Sequence, residues 1–407
     1  MAGLLRHGKR LIAPNLVRTL LSLVGGLAVT WMVRRFGSGD LLNRYVAVGL
    51  VQTPALLIIG WGMRDYLLKA LAGEPSRSAR VLGDAFAGRA VLTLLVIPPL
   101  LLVLRFAPPA LLAGALDGWS LGLILLSMVL RSVMVTLEPL VQFRAAYRFA
   151  ALAELPGSVF FAVVFLGLGR RTLDEVLMAI AGADAIRLTL YLARFRRDRP
   201  ELRGLADGMR CLRRTAPFFL VAVAGYFVTR VDVYCTGFLG RRETGQYHVL
   251  VNLLQALTLL LSAIPGAFNV TLLRAPEPTF KRAFRTFYAV SVVLVAVAVI
   301  CIRAVMERVY GLAMSPLQVM IAGVVGMAFP FTLRSFYAIT RDHSQHLMTA
   351  ALVGGGLCNL AVSAALIARH GVTGALLAAA AGQWTTYGIS IALARRYSRR
   401  GDVEAVR

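Results

Sequence analysis

Charge is scarce in this chain. Only 16% of its 407 residues are Asp, Glu, Lys or Arg, where a water-soluble domain carries about 25%. Acids are the scarcer sign, 20 against 44 Lys and Arg. Such a chain lacks the polar surface of a soluble globule. Catalytic signatures are missing too. There is no P-loop, no HExxH and no GxSxG, and no acidic pairs with the metal–diphosphate spacing that glycosyl- or prenyl-transferases need. His7, His248, His343, His346 and His370 are scattered, and the pair His343 and His346 has no third ligand nearby. Cys211, Cys235, Cys301 and Cys358 share no metal spacing and read as packing residues. No cofactor, no metal and no enzymatic activity are expected.

Apolar residues make up 58% of the chain, and the mean hydropathy is +0.71. They come in runs of about twenty, the length that crosses a hydrocarbon core of roughly 30 Å. The fold class expected is therefore all-α: a polytopic membrane protein of twelve transmembrane helices. In the first half the runs fall near 11–33, 45–63, 86–106, 119–143, 149–169 and 173–194. In the second they fall near 216–239, 246–273, 284–304, 316–339, 346–368 and 372–394. No small-residue cleavage site follows the first run, so a cleavable signal peptide is not expected.

The net charge of +24 suggests nucleic acid at first sight. The arginines, however, lie in short connections between apolar runs rather than in one basic domain. Lys and Arg on the side of the two termini outnumber those on the opposite side by more than two to one. The positive-inside rule then places both termini in the cytoplasm. The basic segment 194–214, RFRRDRPELRGLADGMRCLRR, separates two six-helix halves, 1–207 and 208–407.

The halves are copies of one unit. Residues 31–52, WMVRRFGSGDLLNRYVAVGLVQ, carry Phe36, Gly37, Asp40, Tyr45 and Gln52 where Phe238, Gly240, Glu243, Tyr247 and Gln255 recur. Leu130-Arg131-Ser132 returns as Leu333-Arg334-Ser335, and Ala181-Gly182 as Ala381-Gly382, at nearly constant offsets. An even number of spans per half predicts a pseudo-two-fold axis along the membrane normal and a central cleft.

Ionisable residues inside spans cost about 2.5–3.5 kcal/mol each on insertion scales, so they mark partners or wet paths. Arg18 lies within reach of the interface, and snorkelling competes with function there. Asp184 and Arg187, three apart, can neutralise each other, and Glu138 beside Pro139 can reach the interface. Arg131 and Arg334 sit deep at equivalent places with no acid three or four residues away. Two guanidinium forks converging on a cleft would suit phosphate, and pairing with Glu138, Glu154 or Asp232 is the alternative. Arg230 and Asp232 point to different helix faces, so Asp232 is a candidate for taking up a cation, or for an interhelical salt bridge. Glu154, beside Pro156-Gly157, marks a span open to bending, as do Pro265-Gly266 and Pro330.

A span with a mid-helix Asp232, then Gly240, Gly245, Tyr247 and a long span containing Pro265, resembles the polysaccharide-export flippases. These include the O-antigen and lipid-linked-oligosaccharide translocases of the multidrug/oligosaccharidyl-lipid/polysaccharide (MOP) exporter superfamily. The opening copy, with Phe36-Gly37, Asp40, Tyr45, Gly60 and Gly62, resembles the first two spans of that family. One departure stands out: Val29-Thr30-Trp31 has no acid at the place of Asp232, so a cation role would rest on one half. The resemblance implies alternating-access export of an undecaprenyl-diphosphate-linked sugar across a bacterial inner membrane, driven by protons, sodium or the membrane potential. Its partners would be that lipid and the bilayer, and a monomer is expected. On this reading Arg131, Arg334, Arg18 and Arg230 hold the substrate, while Asp232 and Glu154 couple to cations. Two alternatives remain: a cation-coupled drug or metabolite exporter of the same superfamily, and an integral-membrane polysaccharide polymerase or ligase.

Overall fold

The computed structural model of the protein describes all residues except 1, 38–40, 74–76, 107–115, 170–171, 199, 202, 238–240, 267–276, 342–344 and 405–407. Asp40 and the turn residues Phe238 to Gly240 of the repeated motif thus lie outside the described residues. The described chain is helical, without strands among the described residues. Its helices are α1 (Ala2–Phe36), α2 (Leu41–Gly60), α3 (Met63–Gly73), α4 (Ser78–Phe106), α5 (Gly118–Phe143) and α6 (Tyr147–Leu168). There follow α7 (Leu173–Arg194), α8 (Leu205–Thr236), α9 (Arg241–Gly266), α10 (Glu277–Ala304), α11 (Pro316–Arg341) and α12 (Gln345–Glu404).

Eleven of these helices contain a stretch long and apolar enough to cross a membrane. The last, α12, holds two: at Gly371 the backbone turns to φ 51°, ψ −128°, which breaks the helix and makes twelve spans in all. A side chain would strain that left-handed position, so glycine stands there. Helix α3 is too short to span and lies in the connection after the second run.

The chain forms two compact units, Met1–Ala222 and Val223–Arg407, so the boundary falls inside α8. In the first unit α7 packs on α6 and α5, and α6 on α1. The first part of α8 belongs to this unit, where Cys211 and Leu212 join Met63, Leu67, Ala85 and Leu92 in a small core. The turn between α2 and α3 docks there. Trp61 stacks on Phe219 with ring centroids 3.8 Å apart, and its Nε1–H donates to the Leu212 carbonyl at 2.9 Å. Gly62, at φ 64°, lies so close that a Cβ would stand 2.5 Å from the Phe218 carbonyl carbon.

In the second unit α11 packs on α12 and on α10. The repeated Ala-Gly pair has the same use in both units. A Cβ on Gly182 would lie 2.2 Å from the ring of Phe160 on α6. One on Gly382 would lie 2.7 Å from Cβ of Asn359, in the first half of α12. Each glycine lets a unit's last span close onto the span before it, a device common in membrane helices.

Candidate functional site

Each unit carries its own polar centre. In the first, Arg18 of α1 donates to Glu138 of α5 at 2.8 Å, with Arg64 a further 3.9 Å contact to the same carboxylate. Glu138 thus has partners on α1 and α3. Deeper, Asp184 of α7 gathers three groups. Arg131 Nε donates to its Oδ2 at 2.7 Å, Ser127 Oγ donates to the same oxygen at 2.8 Å, and Arg187 stands 3.6 Å from Oδ1. Arg187 also reaches Glu154 of α6 at 3.2 Å. The chain Arg131–Asp184–Arg187–Glu154 thus alternates in sign across α5, α7 and α6. Such pairing is what lets charges persist in an apolar bundle. Asp184 is almost wholly buried, whereas about a third of the Arg131 side chain stays accessible.

Sequence reasoning assigned Asp184 to Arg187 on its own helix and so missed it as the partner of Arg131. It also passed over Arg89 of α4. That side chain is 3% exposed and donates to the Ser132 carbonyl at 2.6 Å and to Thr136 Oγ1 at 2.7 Å. Its Nε and Nη2 have no hydrogen-bond partner, and no carboxylate lies within ion-pair distance among the described residues.

The second unit holds a cavity of about 390 Å³. Asp232 and Thr229 of α8, Tyr247 and Gln255 of α9, Thr332 and Phe336 of α11, and Gln383 of α12 line it with apolar neighbours. The lining contains one carboxylate and no lysine or arginine. Asp232 is 2% exposed. Tyr247, itself buried, donates its hydroxyl to Asp232 Oδ2, while the Ala375 carbonyl of α12 lies 3.2 Å from the same hydroxyl. Asp232 Oδ1 has no hydrogen-bond partner. Arg230 does not join the lining; it sits one layer behind, donating to Gln255 Oε1 and, at 3.3 Å, to Asn252 Oδ1. The Arg230–Asp232 offset predicted from sequence is therefore real in effect: the two residues serve different partners.

Arg334, the repeat of Arg131, keeps the position and changes the company. It is exposed on α11, near Tyr288 of α10. No carboxylate lies within ion-pair distance of it among the described residues. At the offset of 200 that relates the Ala-Gly pairs, Asp184 is replaced by Trp384, so the second copy has no acid to offer. No cluster of three His, Cys, Asp or Glu residues capable of holding a metal occurs among the described residues.

Helical folds of this kind occur among known structures. The eukaryotic MATE transporter AtDTX14 is similar at a TM-score of 0.71 and 16% identity, covering 98% of this chain and 99% of that one. A MATE transporter of Vibrio cholerae, VcmN, is similar at a TM-score of 0.64 and 14% identity, over 98% of both chains. A MOP superfamily transporter of Pyrococcus furiosus matches at a TM-score of 0.64 and 14% identity, over 96% and 95%; reverse polarity of its binding pocket has been taken to suggest a different function. No protein-family model matches the chain, and no curated protein matches it by sequence. The chain has the twelve-helix fold of MATE transporters of the MOP superfamily.

Proposed function

We propose that this protein is a cation-coupled exporter of the MOP type, acting in a bacterial inner membrane with both termini in the cytoplasm. The observation that carries the reading is Asp232: one buried carboxylate, one oxygen held by Tyr247 and the other without a hydrogen-bond partner, in the lining of a cavity with no other charged residue among those described. A lone carboxylate with no counter-charge in its cavity is suited to taking up a proton or attracting a cation. The mixed lining of aromatic, threonine and glutamine side chains suits an amphipathic organic cargo better than a diphosphate. The structural neighbours named as multidrug transporters support the same choice.

The chemistry needed for coupling is local. With Asp232 ionised, the single hydroxyl proton of Tyr247 serves the carboxylate. Once Asp232 is protonated, its own O–H can donate to Tyr247, and the tyrosine proton is released towards the Ala375 carbonyl. Ala375 lies one turn beyond the break at Gly371. Protonation thereby exchanges a bond within α8–α9 for one onto the outer half of α12, a small bias on a helix that is already hinged.

A second reading, the lipid-linked-sugar flippase, draws on Arg89 and Arg334, two span arginines with no carboxylate within ion-pair distance among the described residues. There Arg131, Arg334, Arg18 and Arg230 would hold the diphosphate, and Glu154 would join Asp232 in coupling. The two readings separate in proteoliposomes under an imposed pH gradient. Accumulation of a fluorescent organic cation, lost in Asp232→Asn, supports the exporter. Translocation of an undecaprenyl-diphosphate-linked sugar without organic-cation transport overturns it in favour of the flippase.

A further inference from the structure

The first unit holds another cavity, opposite in character to the one around Asp232. It measures about 580 Å³ and is lined by Pro14 of α1, the turn Arg144 to Ala146, Tyr147 to Phe149 and Leu152 of α6, and Arg194 at the end of α7. Three arginines face it, and the charges are unevenly compensated. Arg144 donates to Asp198 at 2.5 Å, the one carboxylate beside the cavity among the described residues. Arg148 and Arg194 have no carboxylate within ion-pair distance among the described residues. Arg194 is held over the Phe149 ring with its guanidinium carbon 5.9 Å from the centroid. No side chain caps the start of α6, so its first N–H groups are open beside the same arginines.

We infer that this cavity binds the phosphate of an anionic membrane lipid. Phosphate is what this donor set recognises: planar forks that stay charged, backed by an uncapped helix start. The attachment of that phosphate to a lipid follows from where the cavity opens. Leu152, on its rim, begins a row of exposed apolar residues down α6, continuing through Leu155, Val159, Val163 and Leu166. The row runs at helical spacing along one face of α6. A headgroup seated among the arginines would lay its acyl chains along this row. Arginine-lined pockets between helices at the basic membrane face are suited to anionic headgroups. The site lies on the arginine-rich side and does not depend on which cargo the protein carries.

The test uses the full-length protein in a neutral detergent, with retained lipid read by native mass spectrometry during titration with phosphatidylglycerol or with phosphatidylcholine of the same acyl chains. Phosphatidylglycerol should bind at least tenfold more tightly. The variant Arg148→Gln/Arg194→Gln should weaken it by about 25-fold, from roughly 1 kcal/mol per basic residue at the membrane surface. Arg196→Gln/Arg197→Gln, which removes two exposed charges outside the cavity, should bind as the wild type does. Inorganic phosphate at millimolar concentration should not displace the lipid. Equal retention of the two lipids, or equal loss in both double variants, would overturn the site. Displacement by inorganic phosphate would overturn the lipid assignment.

Discussion

Tyr247 and Asp232, fifteen residues apart, meet inside the second unit, with the tyrosine hydroxyl donating to one carboxylate oxygen and the other, also buried, left without a hydrogen-bond partner. Removing that hydroxyl tests both halves of the proposed coupling. Tyr247→Phe deletes a hydrogen bond to a charged acceptor, worth about 1.5–3 kcal/mol where the group is buried. Thermal unfolding in detergent should register the loss, and the pH-gradient-driven rate should fall more than the affinity for cargo. An unchanged rate with lowered stability would leave Tyr247 a purely structural partner.

Asp184 holds the first unit's charges together. Asp184→Asn would leave Arg131 without its carboxylate partner and Arg187 with Glu154 alone. The expected cost is about 2 kcal/mol, between the small values for interhelical bonds in membranes and those for halving a buried ion pair. The accessible third of Arg131 moderates it. A double-mutant cycle with Arg131→Gln should show coupling; additivity would contradict the geometry.

The two glycines of the repeated Ala-Gly pair should respond alike. Gly182→Val and Gly382→Val each force apart two neighbouring spans, against Phe160 in one unit and Asn359 in the other. Overpacking at a close contact costs about 1–3 kcal/mol. Lower melting temperatures in both variants, with Gly182→Ala milder because the Phe160 ring can swing aside, are the expected pattern.

Arg89 offers a different prediction. A buried cation with only neutral partners contributes little, and an apolar group of similar volume in its place is often neutral or stabilising. Arg89→Met should therefore melt no lower than the wild type. Transport of an organic cation should survive it, whereas the flippase reading expects loss of lipid-linked-sugar translocation.

The architecture was legible because hydrocarbon imposes length. Runs of about twenty apolar residues forecast the spans; that Gly182 and Gly382 of the repeated Ala-Gly pair each permit a close approach came only from the structure. Composition has no comparable handle on partners. Arg131 and Asp184 are fifty-three residues apart, and the i, i+3 neighbour Arg187 was the visible alternative. Arg89 carried no signal of its own, because its partners, the Ser132 carbonyl and Thr136, lie more than forty residues away on α5. The short α3 went unread because its polar residues place it among the connections.

Apolar length, charge asymmetry and internal repetition, all properties of the unfolded string, were enough to specify a twelve-span helical membrane protein built from two copies. Which ionisable groups would be neutralised and which left open was settled by helix packing. Ion pairs and cavities form between residues that only the bundle brings within a few ångströms, and at that range a change of neighbour turns a binding arginine into half of a salt bridge. Asp232 kept an unpartnered oxygen while Arg230, two residues away, was turned to Asn252 and Gln255.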